Sequence, residues 1–236
     1  MSLYADKVAI VTGARRGVGR HIAEHFLREG AHVIGLARGE STIANEKYTH
    51  LAVDVSSGEQ VQKTFHEISR QFPAVHILVN NAGVFTSQYS MILPARRAQE
   101  MVETNILGTF YVSREALKMM RKGSYGRIIN IGSVAPRMEP LGSSIYAATK
   151  AAVTTMSNVM AKEFSSFKVT CNTVGVTFIE TDMLQQFPPD QIEALVKSLP
   201  IPRFATAEDV CHVVDFFASE KSGYVTAQTV YLGGIH

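Results

Sequence analysis

Tyr146 and Lys150 stand four residues apart in the stretch Ser144-Ile145-Tyr146-Ala147-Ala148-Thr149-Lys150-Ala151-Ala152. The run of alanines, with Met156 and Met160 further on, predicts a helix reaching to about Phe164, and this spacing puts both side chains on one face. A free phenol titrates near ~10 and is a poor acid or base at neutral pH; a fixed ammonium beside it favours the phenolate and pulls its pKa down. A tyrosine so placed exchanges a proton with a substrate oxygen. Thirteen residues upstream, after the apolar segment 127–132, Ser133 is expected to arrive at the N-terminal end of this helix and share that oxygen. The pair alone is weak, since Tyr and Lys meet at this spacing by chance in many helices. The elements that position it decide.

Residues 8–11 form a continuous apolar run, as in a buried parallel strand. Thr12-Gly13-Ala14-Arg15-Arg16-Gly17-Val18-Gly19 follows, then a helical pattern with Ile22/Phe26 and Ala23/Leu27 four apart, stopped at Gly30. A second strand is expected at 32–37. Strand, glycine turn, helix and strand make a dinucleotide-binding unit, in which glycines let the backbone approach a pyrophosphate and the helix N-terminus supplies unpaired N–H groups. The glycines at 13, 17 and 19 leave three residues and then one between them, not the common one and then two. The second strand ends in Arg38, and Arg15 and Arg16 sit in the turn; Glu40 is the nearby acid and lies past Gly39. An arginine suits a 2′-phosphate where an acid would hold ribose hydroxyls, so NADP(H) is preferred over NAD(H).

A third strand is expected at 50–55, with Asp54 at its end where an adenine amino group could be met, and a helix follows with Val61, Phe65 and Ile68 on one stripe. A fourth strand at 75–79 leads into Asn80-Asn81-Ala82-Gly83, whose tandem asparagines are expected to hold backbone or cofactor. Residues 94–122 read as one long helical region with Asn105 in its middle. Asparagine disfavours helix interiors, which suggests a local kink or a bound water. A sixth strand is expected at 169–174 and a seventh at 228–232, with a helix at 207–219 between them. Residues 178–202, interrupted by Pro188-Pro189 and Pro200, are expected to be irregular, a flap over a site.

With 46% apolar and 19% charged residues, the 236-residue chain can bury a sizeable core as one α/β unit. Its net charge of +2 comes from scattered basic residues, which excludes a nucleic-acid footprint. No apolar run approaches the ~20 residues of a membrane span and no signal peptide is read, so a cytoplasmic protein is expected. Cys171 and Cys211 read as small buried hydrophobes, and His21 and His25 as solvent-facing positions with no third ligand beside them. No metal site is expected.

Together these residues resemble the classical short-chain dehydrogenase/reductase family over nearly the whole chain. The marks are residues 12–19 as its TGxxxGxG turn, 80–83 as NNAG, Asn105, Ser133, and Tyr146 with Lys150 as YxxxK. Within the family, segments 126–133 and 178–183 are most similar to 3-oxoacyl-[acyl-carrier-protein] reductases. The resemblance implies a single Rossmann-like domain over residues 1–236, a doubly wound seven-stranded parallel sheet with helices on both faces, assembled as a homotetramer or homodimer. It implies a nicotinamide-dependent oxidoreductase acting on CH–OH groups. Tyr146 would be the acid in reduction; Lys150 would lower its pKa and hold the nicotinamide ribose; Ser133 would polarise the carbonyl; Asn105 would hold a relay water. Cofactor contacts would come from Gly13, Arg15, Arg16, Gly17, Val18, Gly19, Arg38, Asp54, Val55, Asn81, Ala82, Gly83, Tyr146, Lys150, Ile179 and Thr181. The substrate would be a small carbonyl or alcohol, free or carrier-linked: a 3-oxoacyl thioester first, a polyketide, sugar or other secondary metabolite as the alternative. A regulator sensing NADP without turnover is the remote alternative. The chain departs from the family at Val176-Thr177, where Pro-Gly is usual, at Ala227 for Gly, at Gly233 for Asp or Asn, and near Ser124 and Phe167, where carrier-docking basic residues are replaced, with Arg121, Lys122 and Lys168 close by.

Overall fold

The computed structural model describes residues 2–179 and 189–235, without the side chains of 189–192. Seven strands form one sheet in the order β3-β2-β1-β4-β5-β6-β7, and every neighbouring pair is parallel. They are β1 (Val8–Thr12), β2 (His32–Ala37), β3 (Tyr48–Ala52), β4 (Ile77–Asn80), β5 (Gly126–Ile131), β6 (Val169–Gly175) and β7 (Thr229–Tyr231). Continuous apolar runs suit the central strands because both faces are covered. On one face, Val8, Ile10, Ile34, Leu78 and Ile128 pack with α2 (Gly58–Gln71), α4 (Thr109–Met120) and α6 (Ser144–Phe164) through Phe65, Ile68, Val112, Met120 and Phe164. On the other, Ala9, Val11, Val33, Val79 and Ile129 pack with α1 (Gly17–Arg28) and α8 (Ala207–Ala218) through Ile22, Phe26, Val214 and Phe217. No helix among the described residues is long and apolar enough to cross a membrane.

β2 and α6 lie where the sequence puts them. The third strand does not: pairing of Val33 with Tyr48 through Ala37 with Ala52 sets β3 earlier, and Val53–Val55 have left the sheet, turned by Asp54, whose Oδ1 accepts from the Ser56 N–H (3.0 Å) and hydroxyl (2.7 Å). The expected long helix is α3 (Ala95–Val102) and α4 joined by a π-helical turn at Glu103–Gly108 that contains Asn105. A wider turn inside an α-helix is a recognised cause of a kink. The region expected to be irregular contains a helix, α7 (Pro189–Lys197), which opens on a proline whose missing N–H costs nothing at that position. A further short helix, α5 (Ala135–Met138), was not expected. Ala227, where the family has glycine, keeps the left-handed backbone (φ 56°), a conformation that costs a residue with a Cβ roughly 1–2 kcal/mol.

His25 corrects another expectation. His21 is exposed, but His25 is 7% exposed and its Nε2 lies 2.9 Å from both Asp215 oxygens, while Tyr4 donates its hydroxyl to the same carboxylate at 2.6 Å. The fold also brings Glu208 and Cys211 beside His25, with ligand atoms within 4.8 Å of one another, although burial pushes the Cys211 thiol up to about 12 and keeps it protonated. The hydrogen bond to Asp215 raises the His25 pKa above its ordinary 6.5. Stabilisation by this pair is therefore complete below the unfolded value and is lost as pH rises through the folded one. Melts of wild type and Asp215→Asn are expected to differ by ~1 kcal/mol near pH 6 and by less near pH 8. A difference constant across that range would show that Asp215 does not raise the His25 pKa.

Candidate active site

At the carboxyl end of β1, Gly13 (φ 67°) and Gly17 (φ 57°) turn the chain into α1. A Cβ on Gly13 would stand 2.8 Å from Asn81 Nδ2, and one on Gly19 would overlap both that nitrogen and the Gly13 carbonyl oxygen. Arg16 caps α1 with extended backbone, gives no side-chain bond to its first turn, and no acid occupies that turn. The helix thus presents backbone donors to an anion. Thr12 Oγ1 accepts from the N–H groups of Asn81 and Ala82, both at 2.9 Å, and Asn81 Nδ2 donates to the Thr12 carbonyl at 3.0 Å. Asn80 instead donates to Ser113 and to Asn130, each at 2.8 Å. Of the tandem pair, then, Asn81 holds backbone and Asn80 holds buried side chains.

The cleft above this turn has a volume of about 1110 Å³. Of the expected cofactor residues, Gly13, Arg15, Arg16, Gly17, Val18, Arg38, Asp54, Val55, Asn81, Ala82, Gly83, Tyr146, Lys150 and Ile179 line it. Gly19 lies buried beneath the turn, and Thr181 is outside the described residues. Arg38 is largely exposed, its Nη1 3.8 Å from Asp54 Oδ2, and the Arg15 guanidinium lies over Gly39. A glycine cradle and a helix start without a side-chain cap fit the pyrophosphate of a dinucleotide.

Ser133 follows β5, its Oγ accepting from Ala135 N at 3.0 Å. It stands near enough to the Tyr146 hydroxyl to favour the phenolate. Lys150, 7% exposed, donates to the Ile131 carbonyl at 2.8 Å and stands 5.9 Å from the Tyr146 ring centre. The expected depression of the Tyr146 pKa is not what the structure shows. Burial raises it, against the lowering effect of Ser133. The physical reason lies in Lys150: its ammonium is turned to a backbone carbonyl, and burial lowers its own pKa to about 8. Spacing along a helix fixed which face the two share, and burial fixed the sign.

Asn105, 1% exposed, clamps the strand-four loop: its Oδ1 accepts from Val84 N (2.8 Å), and its Nδ2 donates to the Val84 carbonyl and to Thr149 Oγ1 (both 3.0 Å). Thr149 in turn donates to the Tyr146 carbonyl at 2.7 Å. Gly83 is pinned between these groups, its missing Cβ 3.3 Å from Asn105 Oδ1 and 3.7 Å from Lys150 Nζ. Sequence reasoning missed Thr12 and Thr149, whose signal was a hydroxyl at a strand end and one beside the lysine. The stretch 84–94 was expected to shape the choice of substrate, but nothing in the sequence singled out Phe85 within it. The Val176 carbonyl, at one of the departures, accepts from Val134 N at 3.0 Å.

A family model described as short chain dehydrogenase matches residues 7–192. The chain belongs to the short-chain dehydrogenase family. Among relatives of that family, a 3-oxoacyl-[acyl-carrier-protein] reductase of Pseudomonas aeruginosa is 39% identical over 99% of this chain and 98% of its own length. The Vibrio cholerae protein of the same description is 37% identical over 97% and 96%. The structure of Thermoplasma acidophilum aldohexose dehydrogenase in ligand-free form superposes with a TM-score of 0.90 at 29% identity, covering 99% of this chain and 95% of that one. This short-chain dehydrogenase is accordingly an oxidoreductase acting on CH–OH groups with a nicotinamide cofactor.

Proposed function

We propose that the chain reduces a ketone to a secondary alcohol with NADPH, on a 3-oxoacyl thioester or similar β-keto substrate. The observation that carries this is the meeting of Ser133, Tyr146 and Lys150 in the lining of one cleft whose other end, at the glycine turn, suits a dinucleotide. The bound nicotinamide would supply the hydride to the carbonyl carbon. Tyr146, kept protonated by its raised pKa, gives its proton to the oxygen as negative charge develops there. Ser133 holds that oxygen. Lys150, while charged, favours the resulting phenolate and would help to hold the cofactor ribose. Asn105 acts as a positioning residue, and the remaining lone pair of its Oδ1, beside Gly83 and Lys150, is where a relay water would bind.

Arg15 and Arg38 support NADP(H) over NAD(H), since guanidinium groups pair well with a 2′-phosphate. Exposed Val102, Leu107, Phe110 and Val159, and exposed Phe216 and Tyr224 elsewhere, support assembly as a homodimer or homotetramer. Exposed Arg121, Lys122 and Lys168 offer charge to an acidic carrier. The names of the relatives favour carrier-linked substrates. A second reading, oxidation of a sugar, is favoured by the likeness to the aldohexose dehydrogenase.

The deciding experiment mixes the purified protein and NADPH with an acetoacetyl thioester, beside a panel of other ketones and of sugars with NADP⁺, and follows cofactor absorbance. Turnover of the thioester is expected. Turnover of the other ketones without it would remove the carrier-type substrate. In the same assay Arg38→Asp is expected to weaken NADPH binding roughly 10–100-fold and NADH binding only slightly. Equal losses would place the 2′-phosphate elsewhere.

A further inference from the structure

We infer that the substrate end of this cleft selects ketones flanked by an apolar substituent over hydroxylated ones, and that Phe85 is the residue that sets this choice. The inference rests on the reductase reading above and narrows its substrate.

Phe85 stands edge-on to the acid itself, its ring centre 4.7 Å from that of Tyr146 with the planes at 76°. A carbonyl oxygen held by Ser133 and Tyr146 therefore has a substituent in reach of the Phe85 ring. The ring is held in place from behind, because both backbone polar groups of Val84 are bonded by the Asn105 side chain. The loop beyond it is tied across the cleft mouth: Gln88 N donates to the Gly142 carbonyl at 2.9 Å, and the Ser90 hydroxyl donates to Ser144 Oγ at 2.9 Å. Among the described residues, Met138, Pro140, Phe178 and Phe204 add apolar lining to the cleft, and Thr104, Thr177 and Thr206 line it as well. Ser143 lines it too, but its hydroxyl is already donated to the Pro140 carbonyl at 2.6 Å. Among the described residues, the charged side chains lining the cleft are Arg15, Arg16, Arg38, Asp54 and Lys150, with His21 near them. The first four and His21 belong to the glycine turn, α1 and the ends of β2 and β3, and Lys150 lies beneath the phenol.

A polyol placed beyond Tyr146 would bury hydroxyls against these rings with few partners, and unpaired buried polar groups are what specificity is built on. An apolar substituent meets no such penalty and gains contact with Phe85. The fold is shared with a sugar dehydrogenase; the collar around the phenol is not suited to a sugar.

The test compares kcat/KM for ethyl benzoylacetate and for 1,3-dihydroxyacetone with NADPH, in wild type, Phe85→Ala and Phe85→Leu, with NADPH affinity measured alongside. Wild type is expected to prefer the aryl ketone by ~100-fold or more, and Phe85→Ala to shrink that ratio roughly tenfold, mainly through the KM of the aryl ketone. Phe85→Leu, which keeps most of the volume and guards against a misfolded alanine variant, is expected to fall between. NADPH affinity should stay within about threefold. Preference of the wild type for dihydroxyacetone, or an unchanged ratio in both variants, would overturn the inference. Turnover of neither ketone, and none of the acetoacetyl thioester in the same assay, would overturn the reductase reading instead. Calorimetry of the same two ligands on wild type saturated with NADP⁺ then decides the selectivity: tighter aryl binding upholds it, and equal or reversed affinity refutes it.

Discussion

Tyr146→Phe is expected to lower kcat by roughly 10²–10⁴-fold, the usual contribution of a positioned general acid, while NADPH binds within about threefold of wild type. The substitution removes one oxygen and leaves the ring, so the edge contact with Phe85 and the packing of α6 persist. The Ser133 hydroxyl, which accepts from Ala135 N and keeps its own O–H free to donate, remains to hold a carbonyl oxygen, but an aliphatic alcohol is too weak an acid to replace the phenol as proton donor. Steady-state rates with saturating ketone, paired with a fluorescence titration of NADPH, separate the two effects. A variant retaining a tenth or more of the wild-type rate would take the proton-donor role away from this tyrosine.

Gly19→Ala should damage both stability and cofactor binding, because the inserted methyl acts on backbone. The added carbon would overlap the Gly13 carbonyl oxygen and Asn81 Nδ2, and neither can step aside: Gly13 N donates to the Leu36 carbonyl at 2.7 Å, and Asn81 clamps Thr12. Overpacking of this kind costs ~1–3 kcal/mol, and opening of the turn should weaken NADPH at least tenfold, as a lost ~1.4 kcal/mol would. Gly58→Ala is the control. Its Cβ would meet the Tyr111 ring at 3.4 Å, an ordinary contact, at the start of α2 capped by Ser57, and a change within about 1 kcal/mol of wild type is expected. Thermal melts and NADPH titrations of the pair check both. A Gly19→Ala protein that melts and binds like wild type would mean that the turn is looser than its contacts imply.

Elements bounded by local chemistry were legible in the sequence. Gly30 and Gly39 bracket β2, and the alanine run of α6 carries helix propensity through its whole length. The site was legible where one helix or one loop holds it, as with Tyr146 and Lys150 or with Gly13 and Gly17. Asn105 announced an irregular turn because its side chain competes with helical hydrogen bonds. What stayed hidden depends on distant partners. His25 is buried only because Asp215, 190 residues away, arrives beside it, and β3 takes its register from β2 and not from its own apolar run. The ionisation of Tyr146 follows from burial and from the carbonyl that captures Lys150, and neither is written in a four-residue spacing.

The π-helical turn at Glu103–Gly108 has a consequence for chain length. Each residue of an α-helix advances the side chains by about 100°. A π turn holds one residue more than an α turn, so deleting a single residue there would close it to an ordinary helical turn and leave Val112, Ala116, Met119 and Met120 in phase with Met101, at the expense of the place that Asn105 holds in the wide turn. The extra residue is therefore what separates a plain continuous helix from one that carries Asn105 to the loop after β4, where its side chain holds both backbone polar groups of Val84.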